Sequence, residues 1–164
     1  MLQICEVKTS EQKRQFLEIL EKVAAHVREN GAFLWDPYEL TEDRVFTDES
    51  MPCLGLAEGV PVGTILLYDR DEFFWDDQED SKALHIQKLS VLPAYEGKGY
   101  GTQLVAYARE LAKECSKDML RIDCSNDRKD TLAFLQSVGF EVTGITNVDN
   151  GVREYSCALL RMML

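Results

Sequence analysis

The stretch from Leu84 to Thr102, LHIQKLSVLPAYEGKGYGT, constrains this chain more than any other. It opens with strand-like residues and passes a turn marked by Pro93. It then reaches glycines at alternate positions, Gly97, Gly99 and Gly101, before a helical pattern begins. Strand, glycine-rich loop and helix in that order gather backbone N–H groups around an anion. The expectation is a loop that holds the phosphates of a nucleotide-like cofactor, with the rest of the chain presenting a substrate to it.

The flanking sequence supplies a scaffold for such a loop. Leu2, Ile4 and Val7 open like a short strand, and Thr9 with Gln12 can form a capping box. Phe16, Ile19, Leu20, Val23, Ala24 and Val27 follow with the spacing of an amphipathic helix, which Asn30-Gly31 can end. Residues 32–50 read as loops and a short helix over an edge of the core. Cys53–Ala57 and Val60–Tyr68 bracket Glu58-Gly59 as a hairpin. Ala83–Val91 is the strand feeding the loop, Thr102–Cys115 a helix, and Met119–Cys124 a further strand. A helix carrying Leu132, Leu135 and Val138 ends at Gly139. Phe140–Val142 and Tyr155–Met162 are short strands, with a turn at Asp149-Asn150-Gly151. The economical reading is one α/β domain over residues 1–164, built on a mixed sheet.

Composition excludes several classes. A chain of 164 residues with a 45% apolar fraction can bury a real core. Its net charge of -11 argues against binding a phosphate backbone, which needs neutralising Lys and Arg. No nucleic-acid partner is expected, therefore, and a cationic substrate is favoured in encounter. Five cysteines without a close pair, beside two histidines, form no metal pattern; they read as reduced, buried thiols. Without an apolar leader or a run long enough to span a membrane, the expected location is the cytoplasm. Residues 69–80 hold seven acidic residues together with Phe73, Phe74 and Trp75. They read either as a solvated connection or as an acidic, aromatic rim for a cationic acceptor, with Trp75 and Trp35 as candidate substrate contacts.

Spacing discriminates among nucleotide loops. A Walker A loop needs GxxxxGK followed by Ser or Thr, but Lys98 lies between glycines. The dinucleotide fingerprint needs GxGxxG on the first strand-to-helix turn, and this GxGxG run comes past the midpoint. A GxGxG turn opening directly into a helix fits the pyrophosphate loop of an acyl-CoA site, with Lys98 as a supplementary cation.

Over most of its length, and most closely over Leu84–Phe140, the chain resembles the GNAT family of N-acetyltransferases. Leu89-Ser90-Val91 is similar to that family's splayed fourth strand, whose backbone pairs with the pantetheine arm of acetyl-CoA. Tyr95 to Gly101 resembles its Arg/Gln-x-x-Gly-x-Gly/Ala motif, Leu120–Cys124 its fifth strand, and Leu135–Phe140 its helix end before Gly-Phe. The resemblance implies a single-domain GNAT-like fold with a central mixed, mostly antiparallel sheet flanked by helices. It implies acetyl-CoA (coenzyme A) as cofactor, held by Leu89, Ser90, Val91, Gly97, Lys98, Gly99, Tyr100, Gly101 and Thr102. It further implies direct transfer of an acetyl group to a primary amine in a ternary complex. A backbone N–H near Leu89 or Val91 would steady the developing oxyanion.

The sequence departs from the family pattern at Glu96, where Arg or Gln is usual, and at Arg128, where Asn is common. Leu135 replaces the tyrosine that usually returns a proton to the leaving thiolate; Tyr100 and Tyr155 are conceivable substitutes. An ammonium has no lone pair, so the acceptor must lose a proton to a base. The candidates are His85, on a strand face shared with Gln87 and Leu89 unless it is only a polar strand-edge residue, Asp123, and Glu58 acting through water. His26 reads as packing or surface, and Cys124 has no neighbouring histidine to activate it. The acceptor is a small-molecule amine or an amine of a peptide or protein. A homodimer through the last strands is a further expectation. Two other classes compete: a non-catalytic acyl-CoA-binding regulatory module, and an interaction domain without a cofactor.

Overall fold

The computed structural model describes residues 1–71, 73–75 and 79–164. Seven strands form one sheet: β1 (Gln3–Glu6), β2 (Ser50–Ala57), β3 (Val60–Tyr68), β4 (Ala83–Val91), β5 (Met119–Ser125), β6 (Glu141–Asp149) and β7 (Glu154–Met163). Their order across the sheet is β1-β2-β3-β4-β5-β7-β6. The β4–β5 pair is parallel, from Ala83↔Met119 to Ile86↔Ile122, whereas β1–β2, β2–β3, β5–β7 and β6–β7 are antiparallel. The helices are α1 (Ser10–Glu29), the single turn α2 (Glu42–Val45), α3 (Tyr100–Glu114) and α4 (Lys129–Ser137). The sheet is mixed, mostly antiparallel and flanked by helices, as the family resemblance implied. Contacts divide the chain into two compact units, residues 1–68 with 87–107, and residues 69–86 with 108–164.

In the first unit, α1 starts where Thr9 and Gln12 satisfy each other's orphan donors. Gln12 N–H donates to Thr9 Oγ1 at 3.1 Å, and Thr9 N–H donates to Gln12 Oε1 at 3.0 Å. Removing this cap with Thr9→Ala should lower stability by about 1 kcal/mol, read as a shift in the urea midpoint at unchanged slope. The helix ends at Gly31, whose φ of 80° is left-handed. Ala32 N–H returns to Val27 O at 3.1 Å and Gly31 N–H to Arg28 O at 3.0 Å, so the last carbonyls are also satisfied. Between these ends Phe16, Ile19, Leu20 and Ala24 pack with Leu54 of β2, Leu66 of β3, Leu40 and Val45 into one core cluster.

The opposite face of the same strands meets the start of α3. Cys53 Sγ lies 3.9 Å from Tyr107 Oη, and Leu2 N–H donates to Gln103 Oε1 at 2.6 Å. A Cβ at Gly63 would come within 3.1 Å of both Leu104 Cδ1 and the Ser90 carbonyl oxygen. Glycine in β3 therefore lets α3 and the end of β4 approach the sheet closely. Glu58 and Gly59 have φ of 52° and 82°, the pair of left-handed residues that a two-residue hairpin turn requires.

In the second unit, α4 ends at left-handed Gly139, with Phe140 N–H bonded to Leu135 O at 3.0 Å. Leu120, Leu132, Leu135, Phe140 and Leu160 are buried. Three readings need correction. Helix α3 begins at Tyr100, not Thr102, so Gly101 lies inside its first turn; and Cys115, assigned to its buried face, is exposed just beyond its end. Strand β6 is a nine-residue edge strand, not the short run Phe140–Val142. Paired on one side only by β7, it carries polar residues on a largely exposed ladder, so hydrophobic alternation under-reports it.

Candidate active site

The end of β4 is irregular. Lys88 has a φ of 51°, left-handed for a non-glycine residue within a strand. The alternation expected for His85, Gln87 and Leu89 is therefore interrupted at Lys88. Its carbonyl accepts a 2.7 Å hydrogen bond from the hydroxyl of Thr64, which is fully buried in β3. Leu92 N–H donates to Val62 O at 2.8 Å, fixing the exit of the strand. Leu89 and Val91 are half-buried. The Ser90 hydroxyl is buried without a hydrogen-bond partner among the described residues.

A short 3-10 turn over Pro93–Tyr95 leads into the glycines. Gly97 and Gly99 have φ of 78° and 82°, which favour glycine, and a Cβ on either would project into open space. Gln103 N–H donates to Gly99 O at 3.1 Å as α3 begins. The N–H groups of Tyr100, Gly101 and Thr102 precede that bond, so helix geometry leaves them as donors for a ligand. Lys98 is exposed, its ammonium 5.5 Å from the Tyr95 ring centroid. A surface loop with two left-handed glycines, open space above them, helix donors and a nearby cation fits a pyrophosphate. Glu96, the residue of opposite sign, is exposed to solvent.

The remaining candidates occupy varied settings. His85 is 1% exposed, so it is a buried residue and not a strand-edge one; its ring centroid is 6.4 Å from that of Trp75. Trp75 is itself buried, with the Arg121 guanidinium 4.3 Å from its ring centroid. His85 and Arg121 are register partners in the β4–β5 pair, so Trp75 closes over both. Asp123, two residues along β5, is half-buried, and the fully buried Cys157 thiol donates to its Oδ2 at 3.8 Å. Glu58 is exposed at the hairpin tip. Trp35, half-buried against the α1 core cluster, has the Lys88 ammonium 5.0 Å from its ring centroid. Leu135 is fully buried, Tyr100 and Tyr155 are half-buried, and Arg128 forms the N-cap position of α4.

Three acidic residues of this stretch have partners within the protein. Asp69 pairs with Lys117 at 3.0 Å, Asp71 Oδ1 accepts from Phe74 N–H at 3.2 Å, and Glu79 lies 3.9 Å from Arg121. Glu72, Asp76, Asp77 and Gln78 lie outside the described residues, and with them part of the acidic rim expected from sequence.

Sequence reasoning missed Thr64, Lys88 and Cys157. A lone threonine within the apolar run VPVGTILLY was a usable signal for Thr64. A left-handed lysine has none, because its conformation is imposed by the surrounding sheet.

Three buried thiols, Cys53, Cys124 and Cys157, titrate well above the ordinary thiol range. Burial pushes Cys53 and Cys124 from 9.0 up to about 11, partly offset by the Tyr107 hydroxyl and the Arg128 charge respectively. Burial, then the Asp123 charge, pushes Cys157 higher still. Between pH 9 and about 11 the unfolded chain ionises these thiols while the folded chain does not. Their stabilising contribution is thus complete below pH 9 and is lost as pH rises through that window. Denaturant midpoints should fall across it, and a thiol reagent at pH 8 should modify exposed Cys115 first.

A family model described as the acetyltransferase (GNAT) family matches residues 15–140. No curated protein sequence matches the chain. Among solved structures, the paia N-acetyltransferase from Thermoplasma acidophilum, in complex with coenzyme A, aligns with a TM-score of 0.76 at 12% identity, covering 100% of this chain and 99% of that one. An IAA acetyltransferase from Bacillus cereus aligns with a TM-score of 0.67 at 19% identity, covering 100% of both chains. A Bacillus subtilis acetyltransferase in complex with CoA gives 0.66 at 19%, covering 100% and 99%. At these identities the likeness is one of fold. Among the described residues no helix is long and apolar enough to cross a membrane.

Proposed function

Because the chain belongs to the GNAT acetyltransferase family, we propose that it transfers an acetyl group from acetyl-CoA to a primary amine by direct attack in a ternary complex. The observation that carries this reading is the loop at Gly97 and Gly99, left-handed, open above both glycines and continuous with the N-terminus of α3. Acetyl-CoA supplies an activated acyl carbon and a thiolate leaving group. Gly97 to Thr102 hold its pyrophosphate through backbone N–H groups, with Lys98 adding charge. The backbone of Leu89 to Val91 takes the pantetheine arm, and the buried Ser90 hydroxyl is a further polar group for that region.

Of the candidate bases, Asp123 is favoured. It is half-buried on β5, and the Cys157 thiol donates to its Oδ2 at 3.8 Å, which helps to orient the carboxylate that takes the acceptor's proton. Burial and the Asp123 charge keep that thiol protonated, so it remains a donor at neutral pH. His85 lies under Trp75, and Glu58 has a sufficient role in its turn. Water returns the proton to the thiolate, since Leu135 cannot; a thiolate leaves well without help.

Leu135 also favours a second reading, a binding module without transfer. A thiol-release assay over a panel of amines separates the two. Transfer predicts amine-dependent thiol release that Asp123→Asn lowers by on the order of a hundredfold or more. Acetyl-CoA binding without release from any amine would leave the module.

A further inference from the structure

The indole face of Trp35 is occupied by a cation of the protein's own. The Lys88 ammonium lies 5.0 Å from the ring centroid, within cation–π range. Neither partner is a loosely placed surface residue. Trp35 packs against the α1 core cluster and has a φ of 51°, a costly conformation for a bulky side chain. Lys88 has the same φ, and Thr64 pins its carbonyl from a fully buried position. The ammonium and the aromatic face thus meet between two left-handed backbone positions. Lys88 directly precedes Leu89, on the strand proposed to carry the acyl group.

We propose that the Trp35 face is a seat for a cationic group of the acceptor, and that Lys88 occupies this seat as an internal competitor. This inference rests on the transfer reading above and narrows its substrate. A group must stay charged to bind the ring, and an amine must lose its charge to attack a thioester. One amine cannot do both at once. The acceptor therefore carries a permanent or protonated cation a few bonds from the amine that reacts, as a diamine or polyamine does. The net charge of -11 favours the approach of such a molecule. A cation seated where the Lys88 ammonium now lies is no farther from the β4 backbone than one lysine side chain.

The test uses tetramethylammonium chloride, a cation that cannot be acetylated, titrated against the intact protein at constant ionic strength and read by tryptophan fluorescence. Saturable quenching is expected, with binding roughly threefold to tenfold tighter in Lys88→Gln; in Trp35→Leu, which removes the reporting ring, calorimetry of the same titration should show binding lost. Circular dichroism checks that both variants are folded. In thiol release, a diamine should have a lower KM than the monoamine of equal length, and Lys88→Gln should lower the diamine KM alone. Unchanged or weaker tetramethylammonium binding in Lys88→Gln would overturn the proposal, as would equal KM values for the two amines. So would acetate binding that Lys88→Gln abolishes, since Lys88 would then be an anion receptor. If no amine releases thiol, the transfer reading falls, while the fluorescence titration still decides whether the ring seats a cation.

Discussion

Replacing Gly99 or Gly97 with valine should weaken acetyl-CoA binding by roughly a hundredfold, the loss of about two hydrogen bonds to a charged group. Both residues are left-handed, which a β-branched side chain resists, and both present open space where a Cβ would stand. The new side chain would meet no protein atom within 4 Å, so it would take the ligand's room and not the core's. Binding should therefore collapse while the protein stays folded, with a stability cost of about 1–2 kcal/mol from the backbone conformation. Calorimetric titration with coenzyme A, paired with urea unfolding of each variant, checks both halves. Equal affinity in the variants and the parent protein would remove the phosphates from this loop.

Phe16→Ala should produce the largest loss of stability, about 3–5 kcal/mol. Its ring is fully buried at the centre of the α1 cluster and meets Phe46 edge-on, with centroids 5.4 Å apart and planes at 67°. That contact adds about 0.5–1.5 kcal/mol beyond area burial. In a domain with about 5–15 kcal/mol in total, the change approaches the limit of folding. Phe73→Ala is the matched control: its ring is 68% exposed, and the urea midpoint should barely move. A comparable loss at both positions would mean that α1 does not anchor the core as the structure places it.

The parts of the fold written in local chemistry were legible in the sequence. Thr9 and Gln12 announced the start of α1, Asn30-Gly31 its end, Glu58-Gly59 a hairpin, and Gly139 the close of α4. Each depends on residues a few positions apart, so a linear reading captures it. The glycine loop was legible for the same reason. Strand β6 was under-read because an edge strand needs no hydrophobic face to be held by its neighbour's hydrogen bonds. Cys115 was placed inside by extending a helical period one residue past the point where α3 stops. The helix ends in a left-handed Ser116, with Lys117 N–H bonded to Ala112 O at 2.8 Å.

The least legible features were contacts between elements distant in sequence. Thr64 reaches Lys88 between strands, Cys157 of β7 reaches Asp123, and Trp75, from the loop before β4, lies over Arg121 of β5. Aromatic residues in an acidic stretch suggested a substrate wall, yet Trp75 is used to close over His85 and Arg121.

Calorimetric titration of the purified protein with acetyl-CoA tests the central claim most directly. Saturable binding of one molecule per chain is the predicted result, and it would place the amine screen and the Trp35 variants on firm ground. Absence of measurable binding up to about millimolar acetyl-CoA, a ceiling near 4 kcal/mol of affinity, would contradict the account and leave a domain that keeps the fold without its cofactor.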